Sequence, residues 1–182
     1  MNPVLLSYDE VRNKLTSISV LRDRAFLSLA YGTLARVGEV VKGRYKFNPP
    51  IRRNQIFIGE THIFVTIQTE KTGLPRRVPI NMVKEPWLVQ PILEYMTYLG
   101  DDPNRELFPF STRWGEKIFE RWFGTQHIHL LRHWRATHLL QGVVTGAPLH
   151  SQIVARMGGW TDLGSLSKTY DGSVVEDYLL LI

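Results

Sequence analysis

The 182-residue sequence contains no cysteine. This absence excludes a disulfide framework, a thiolate zinc site, an iron–sulfur cluster and a cysteine nucleophile. No apolar run approaches the ~18 residues that a membrane-spanning helix needs, and the N-terminus carries no signal-peptide pattern. Low-complexity tracts, internal repeats and flexible linkers are also missing. We therefore predict a single domain, residues 1–182, in a cytoplasmic protein without a membrane partner.

The composition is that of an ordinary globular protein with a modest positive charge. Hydrophobic residues make up 43% of the chain and charged residues 21%, so the chain can bury a core and is not disordered. Lysine and arginine number 22 against 17 aspartate and glutamate residues, which gives a net charge of +5 and a pI near 9.6. This surplus favours a polyanionic partner, although many simple soluble proteins are equally basic.

Helical patterns occupy both ends of the chain, with β-patterns between them. Ser7 and Glu10 form a capping-box pattern at the start of the first helix. Apolar spacing predicts helices over Tyr8–Leu15, Leu21–Leu34, Pro86–Tyr98, Arg113–Phe123, His129–Gln141, His150–Met157 and Val174–Ile182. Short segments rich in β-branched and aromatic residues predict a three-stranded antiparallel sheet of Gln55–Gly59, His62–Gln68 and Arg76–Ile80. The predicted fold class is α+β, mainly α-helical with one small antiparallel sheet.

Arg36 and Glu39 are three residues apart, so on a helix they would share a face. Taken alone, they are best interpreted as a surface ion pair, since such pairs are common and weak. Arg36 nevertheless has apolar neighbours and follows a helix of core-like composition. An inward-facing arginine needs a carboxylate partner, and the two together would present a preorganised fork to an anion.

The segment from His127 to His138 holds four histidines and two arginines. His129 and His133 are four residues apart, which suits a metal ion, but the segment has no His-Glu-x-x-His pattern and no evident third ligand. His129 and Arg132 project from one helical face and can offer an imidazole and a guanidinium to the same oxyanion. We therefore predict an anion-facing helix and no metal.

A third segment combines two glycines with aromatic residues. Gly158 and Gly159 let the backbone that precedes Trp160 approach another group closely, and Tyr170 follows a short polar turn. Taken alone, Tyr170 is best interpreted as a half-buried packing residue.

Together these segments resemble the tyrosine recombinase family, the phage-integrase class of DNA strand-exchange enzymes. The matching residues are Thr33-Leu-Ala-Arg36-Val-Gly-Glu39, His129-Leu-Leu-Arg132-His133, Ala136-Thr-His138, and Gly159-Trp160 followed by Tyr170. Lys71 lies in the turn of the predicted hairpin, where the family carries its catalytic lysine. The resemblance extends from Leu6 onward and implies the tyrosine recombinase catalytic-domain fold.

The resemblance implies a site that cleaves and rejoins DNA without a metal or nucleotide cofactor. Its catalytic residues would be Arg36, Lys71, His129, Arg132, Trp160 and Tyr170, with Glu39 supporting Arg36. Tyr170 would attack a phosphodiester to form a 3′-phosphotyrosine, while Lys71 protonates the leaving 5′-oxygen. Forked donors from the two arginines would stabilise the charge that develops on the non-bridging oxygens.

The implied partners are double-stranded DNA and further protomers assembled on it, as a tetramer in synapsis, in the cytoplasm or at the nucleoid. The basic tract 42–53 carries five positive residues and no acid, and it would grip phosphates or form a solvated loop. The expected DNA-binding residues are Lys42, Arg44, Lys46, Arg52, Arg53, Arg76 and Arg77.

The sequence departs from the family pattern in three places. Leu34 stands where a glycine is usual, Trp160 and Tyr170 are one residue further apart than is common, and no separate N-terminal core-binding domain is evident. The tail from Val174 can pack in cis or on a neighbouring protomer. Alternatives are a non-enzymatic DNA-binding protein, a DNA-relaxing enzyme like a type IB topoisomerase, and a metal-dependent nuclease built on the histidines.

Overall fold

The structure is a computed structural model that describes residues 5–43, 49–70 and 72–160. Several features singled out from the sequence lie outside the described residues. They are Arg44, Lys46, Lys71, Tyr170 and the predicted tail helix Val174–Ile182.

The described chain is mainly helical with one small sheet, which confirms the predicted fold class. Helices are α1 Tyr8–Thr16, α2 Leu21–Gly32, α3 Val37–Val40, α4 Pro86–Leu99, α5 Thr112–Phe123, α6 Leu130–Leu140 and α7 Ser151–Gly158. Strands are β1 Ile56–Ile58, β2 His62–Gln68 and β3 Pro75–Asn81, and a 3₁₀ turn over Arg53–Gln55 precedes β1. Within the described ranges, no helix combines the length and apolarity needed to cross a bilayer.

The sheet is antiparallel with the order β1-β2-β3. Its register pairs Ile63 with Ile80 and Val65 with Val78. All four side chains are buried, because they lie on the face that packs against the helices. The chain leaves β2 and enters β3 through a hairpin loop closed by the hydrogen bond from the Thr69 amide to the Leu74 carbonyl.

Helix α2 lies at the centre of the fold, and α1, α4 and α6 pack around it. Every residue from Ala25 to Gly32 is buried. A second hydrophobic cluster, called here the α6–α7 cluster, joins the last two described helices and consists of Leu34, Ala136, Leu139, Leu140, Val144, Val154 and Ala155. Helix α7 ends at the left-handed C-cap Gly159, and Trp160 packs against this cluster.

A network of buried polar groups connects α6 to α1, α2 and the start of α4. Arg135 makes two hydrogen bonds to the Glu85 carboxylate, of 2.5 and 2.7 Å, and both side chains are about 2% exposed or less. Tyr8 donates to the same carboxylate over 3.1 Å. Removing one partner of such a buried pair typically costs about 3–5 kcal/mol, so the network depends on all its members.

His138 forms the other end of this network and is 1% exposed. Its Nε2 lies 2.9 Å from the Leu6 carbonyl, which can only accept, so Nε2 carries the proton. Nδ1 therefore accepts from the Tyr31 hydroxyl at 2.7 Å. Burial is the main cause that lowers the pKa of His138 to about 4, and the charge of Arg135 lowers it further.

We expect the free energy of unfolding to fall as the pH is lowered from about 6.5 to about 4, because the folded chain then binds fewer protons at His138 than the unfolded chain. The loss attributable to His138 should reach about 3 kcal/mol across this window. Urea unfolding at several pH values measures it. His138→Gln cannot titrate and should reduce the pH slope, while His129, whose pKa is also lowered to about 4, keeps part of it. An unchanged slope in that variant would contradict the assignment.

Candidate active site

Arg36 and Glu39 meet at the start of α3, not on a shared face of α2. Helix α2 ends at Gly32, and Arg36 is the N-cap of the four-residue helix α3. The Glu39 carboxylate accepts hydrogen bonds from the Arg36 amide at 2.9 Å and from Arg36 Nη1 at 3.1 Å. The Glu39 side chain is fully buried and that of Arg36 is 21% exposed, so this is not a surface ion pair.

Leu34 makes the chain reverse between these two helices. Its φ is +52°, in the left-handed region that glycine favours, and this costs about 1–2 kcal/mol for another residue. The Ala35 amide bonds to the Ala30 carbonyl and the Leu34 amide to the Tyr31 carbonyl, which completes a Schellman motif. Burial of the leucine side chain in the α6–α7 cluster contributes roughly 1.5–3 kcal/mol and offsets the strain.

In the part of the chain that the structure describes, four donors surround the Glu39 carboxylate. Besides the two from Arg36, the Glu70 amide donates to Oε1 over 3.0 Å and the Arg76 Nη2 donates to Oε2 over 2.7 Å. Burial by itself raises the pKa of Glu39, but the charge of Arg76 and these hydrogen bonds outweigh burial and lower it. Glu39 is therefore ionised and joins α3 to the hairpin loop.

Arg132, on α6, is 1% exposed, and its guanidinium reaches the turn between α2 and α3. Its Nη1 donates to the Leu34 carbonyl at 2.6 Å and to the Gly158 carbonyl at 2.7 Å. The Trp160 ring lies over its guanidinium, 3.6 Å from Cζ to the ring centroid. Two of the sequence-predicted catalytic residues, Arg132 and Trp160, are thus in contact, and the Leu34 carbonyl connects them to the loop that carries Arg36.

His129 immediately precedes α6, and its ring meets the His133 ring edge-on at 4.7 Å. Partial desolvation lowers the pKa of His129 to about 4, with further contributions from the charges of His133, Arg132 and Arg36. The imidazole is therefore neutral at pH 7. Among the described residues, no group of three or more histidine, aspartate or glutamate side chains is arranged to hold a metal ion.

The expected DNA-binding residues occupy different environments. Lys42 is exposed, and Arg77 is exposed with its guanidinium over the Phe64 ring at 4.4 Å. Arg52 and Arg53 instead pair with acids that follow α4: Arg52 with Glu106 at 3.8 Å and Arg53 with Asp101 at 2.9 Å.

Arg76, which was expected among the DNA-binding residues, lies instead in a largely buried ion pair. Its side chain is 8% exposed and ion-paired to Glu39, because residue 76 shares the inward face of β3 with Val78 and Ile80. The two-residue period of the strand could have shown this from the sequence. The carbonyls that hold Arg132 left no such signal, since they lie 98 and 26 residues away along the chain.

Gly158 leaves space for the Trp160 ring, since a Cβ at residue 158 would overlap that ring. We expect Gly158→Ala to lower the free energy of unfolding by about 1–3 kcal/mol, the usual cost of overpacking. Urea unfolding of a double-mutant cycle with Trp160→Ala measures this cost. In the Trp160→Ala background the ring is absent, so Gly158→Ala should lower the free energy of unfolding only slightly.

Gly124→Ala gives the contrasting case, because Gly124 has a positive φ whereas Gly158 lies in helix α7 without one. Gly124 has φ +76° and no neighbour within 4 Å of the added Cβ, so it reports backbone strain alone. An equal cost of Gly158→Ala with and without the Trp160 ring would contradict the steric explanation.

Comparison with solved structures shows the fold. XerA recombinase matches with a TM-score of 0.69 and 23% identity, over 98% of this chain and 63% of that chain. XerH site-specific recombinase bound to its difH substrate matches with a TM-score of 0.68 and 17% identity, over 97% of this chain and 52% of that chain. The lambda integrase catalytic core matches with a TM-score of 0.57 and 16% identity, over 88% of this chain and 94% of that chain.

The chain therefore spans between half and two thirds of the XerH and XerA chains, and most of the lambda integrase catalytic core. No protein-family model matches the sequence, and a sequence comparison with curated proteins finds no match. The architecture, with one small antiparallel sheet set among seven helices of the described ranges, agrees with these structures. The chain has the fold of the catalytic domain of tyrosine recombinases.

Proposed function

We propose that residues 1–182 form the catalytic domain of a tyrosine site-specific recombinase, which cleaves and rejoins DNA through a 3′-phosphotyrosine. The proposal is supported by a hydrogen bond that joins Arg132 to the turn just before Arg36, and by the proximity of His129 to both arginines. The Leu34 carbonyl accepts from Arg132 Nη1, and Leu34 lies two residues before Arg36 in the chain. The charges of both arginines lower the pKa of His129. A pair of guanidiniums beside a neutral imidazole suits a phosphate in its transition state.

In this mechanism, Tyr170 attacks the phosphorus atom, and the bond to the 5′-oxygen breaks. Arg36 and Arg132 donate to the non-bridging oxygens, and the neutral His129 can donate a further hydrogen bond without adding charge. Lys71 supplies the proton that the leaving 5′-oxygen takes. The phosphotyrosyl bond conserves the energy of the phosphodiester, so the reaction requires neither a metal ion nor a nucleotide cofactor.

The proposed partners are double-stranded DNA and other copies of the chain assembled on it. XerH was solved bound to its difH substrate, and lambda integrase as a tetramer bound to a Holliday junction. The exposed side chains of Lys42 and Arg77 are suited to phosphate contacts on this chain.

A suicide DNA substrate, incubated with the chain in excess chelator, tests the function. A covalent protein–DNA adduct supports the proposal. Cleavage that the chelator abolishes would instead indicate a metal-dependent nuclease, and binding without cleavage a DNA-binding protein. Transfer of the bound strand to a second duplex separates a recombinase from an enzyme that only relaxes DNA.

Tyr170→Phe should keep DNA binding but form no covalent adduct, because it removes only the attacking oxygen. Gel separation of denatured adducts measures this. Tyr178→Phe is the matched control and should form adduct normally. Adduct that persists in Tyr170→Phe and disappears in Tyr178→Phe would assign the nucleophile to the tail instead.

Lys71→Ala should slow cleavage of ordinary DNA and recover on a substrate whose leaving 5′-oxygen is replaced by sulfur. The sulfur leaves without a proton, so a general acid is no longer needed. Single-turnover rates on the two substrates give the comparison. The same defect on both would show that Lys71 acts only through its charge.

A further inference from the structure

Arg76 has three hydrogen-bonding partners among the described residues, and each belongs to a different segment of the site. Its Nη2 donates to Glu39 Oε2 at 2.7 Å, its Nε to the Met157 carbonyl at 2.8 Å, and its Nη1 to Thr69 Oγ1 at 3.4 Å. Glu39 belongs to the segment of Arg36, Thr69 closes the hairpin loop, and Met157 lies on α7 just before Gly158.

The surroundings of Arg76 hold its guanidinium in place. Its side chain is only 8% exposed. Gly159 packs against it closely: a Cβ at that position would lie 3.3 Å from Arg76 Cδ and 3.4 Å from Nη1. A side chain at the last residue before Trp160 would therefore meet the guanidinium that also reaches Glu39.

The shared carboxylate makes the positions of the two arginines depend on each other. Glu39 Oε2 accepts from both the Arg36 amide and Arg76 Nη2, while Oε1 accepts from Arg36 Nη1 and the Glu70 amide. Glu70 immediately precedes Lys71 in the chain. Without Arg76, the buried carboxylate would lose its shortest charged donor, and Arg36 would be its remaining cationic partner among the described residues.

We propose that Arg76 is a positioning residue that sets the hairpin loop, Arg36 and the Gly158–Trp160 segment in register, and that it does not bind DNA. This assignment rests on the proposed recombinase function. A planar guanidinium can reach three acceptors in three directions at once, whereas the ammonium of lysine is a compact point charge on a flexible stem.

The test uses the full chain, a suicide DNA substrate at saturating concentration, and a separate DNA-binding titration. Arg76→Gln should slow adduct formation about 10²-fold, the scale expected for misplacement of reacting groups by about 1 Å, while its DNA affinity changes less than about threefold. Arg77→Gln should show a DNA-contact profile, with weaker binding and a shallower salt dependence. Arg12→Gln, on the exposed surface of α1, controls for loss of one positive charge.

Two further measurements separate positioning from general loss of structure. Arg76→Lys keeps the charge beside Glu39 and should fold, yet it should remain at least tenfold slow because lysine cannot reach all three acceptors. A substrate with sulfur in place of the leaving 5′-oxygen should restore part of the rate of Arg76→Gln, namely the part lost through Lys71. A mere loss of stability would slow both substrates equally.

The outcomes distinguish this inference from the function on which it rests. If the wild-type chain forms no adduct, the proposed function is wrong, and the role assigned to Arg76 is then wrong as well. If the wild-type chain forms adduct and Arg76→Lys does so at the wild-type rate, only the positioning role is overturned. Weakened DNA binding with an unchanged saturating rate in Arg76→Gln would likewise overturn it and make Arg76 a DNA contact.

Discussion

The carboxylate of Glu39 has to be satisfied away from water, and three segments of the chain meet because they supply its donors. A buried charge costs several kcal/mol unless hydrogen bonds and opposite charges surround it. The start of α3 supplies Arg36, the hairpin loop supplies the Glu70 amide, and β3 supplies Arg76. The sheet is therefore tied to the helices at the point where the site is assembled.

Arg132 is the second centre of organisation and uses a different kind of partner. Main-chain carbonyls, not carboxylates, accept from its Nη1. Carbonyl partners orient the guanidinium through hydrogen bonds that carry no opposite charge. In contrast, the Glu39 carboxylate forms an ion pair with Arg76 and so compensates its charge inside the protein. Both side chains are largely buried, but carbonyls hold Arg132 and a carboxylate holds Arg76.

Much of the fold followed from local patterns, because capping boxes and hydrophobic periods act over a few residues. The start of α1 at Tyr8 and the whole of β2, His62–Gln68, agree with the sequence prediction. Arg36 and Glu39 were correctly paired, but the separate short helix α3, of which Arg36 is the N-cap, was not foreseen. The pair Glu85–Arg135 could not be foreseen, because 50 residues separate its members.

The conformation of Leu34 also has a consequence for heat sensitivity. A glycine would hold this turn through its own backbone freedom, but Leu34 holds it only while its side chain stays packed between α6 and α7. Because the α6–α7 cluster is small, partial opening of α7 requires less free energy than global unfolding. On warming, the turn at Leu34 should therefore lose its conformation before the central helices separate. The hydrogen bond from Arg132 to the Leu34 carbonyl would be lost with it. The position of Arg132 and the packing of the central helices are thus stabilised by different parts of this chain.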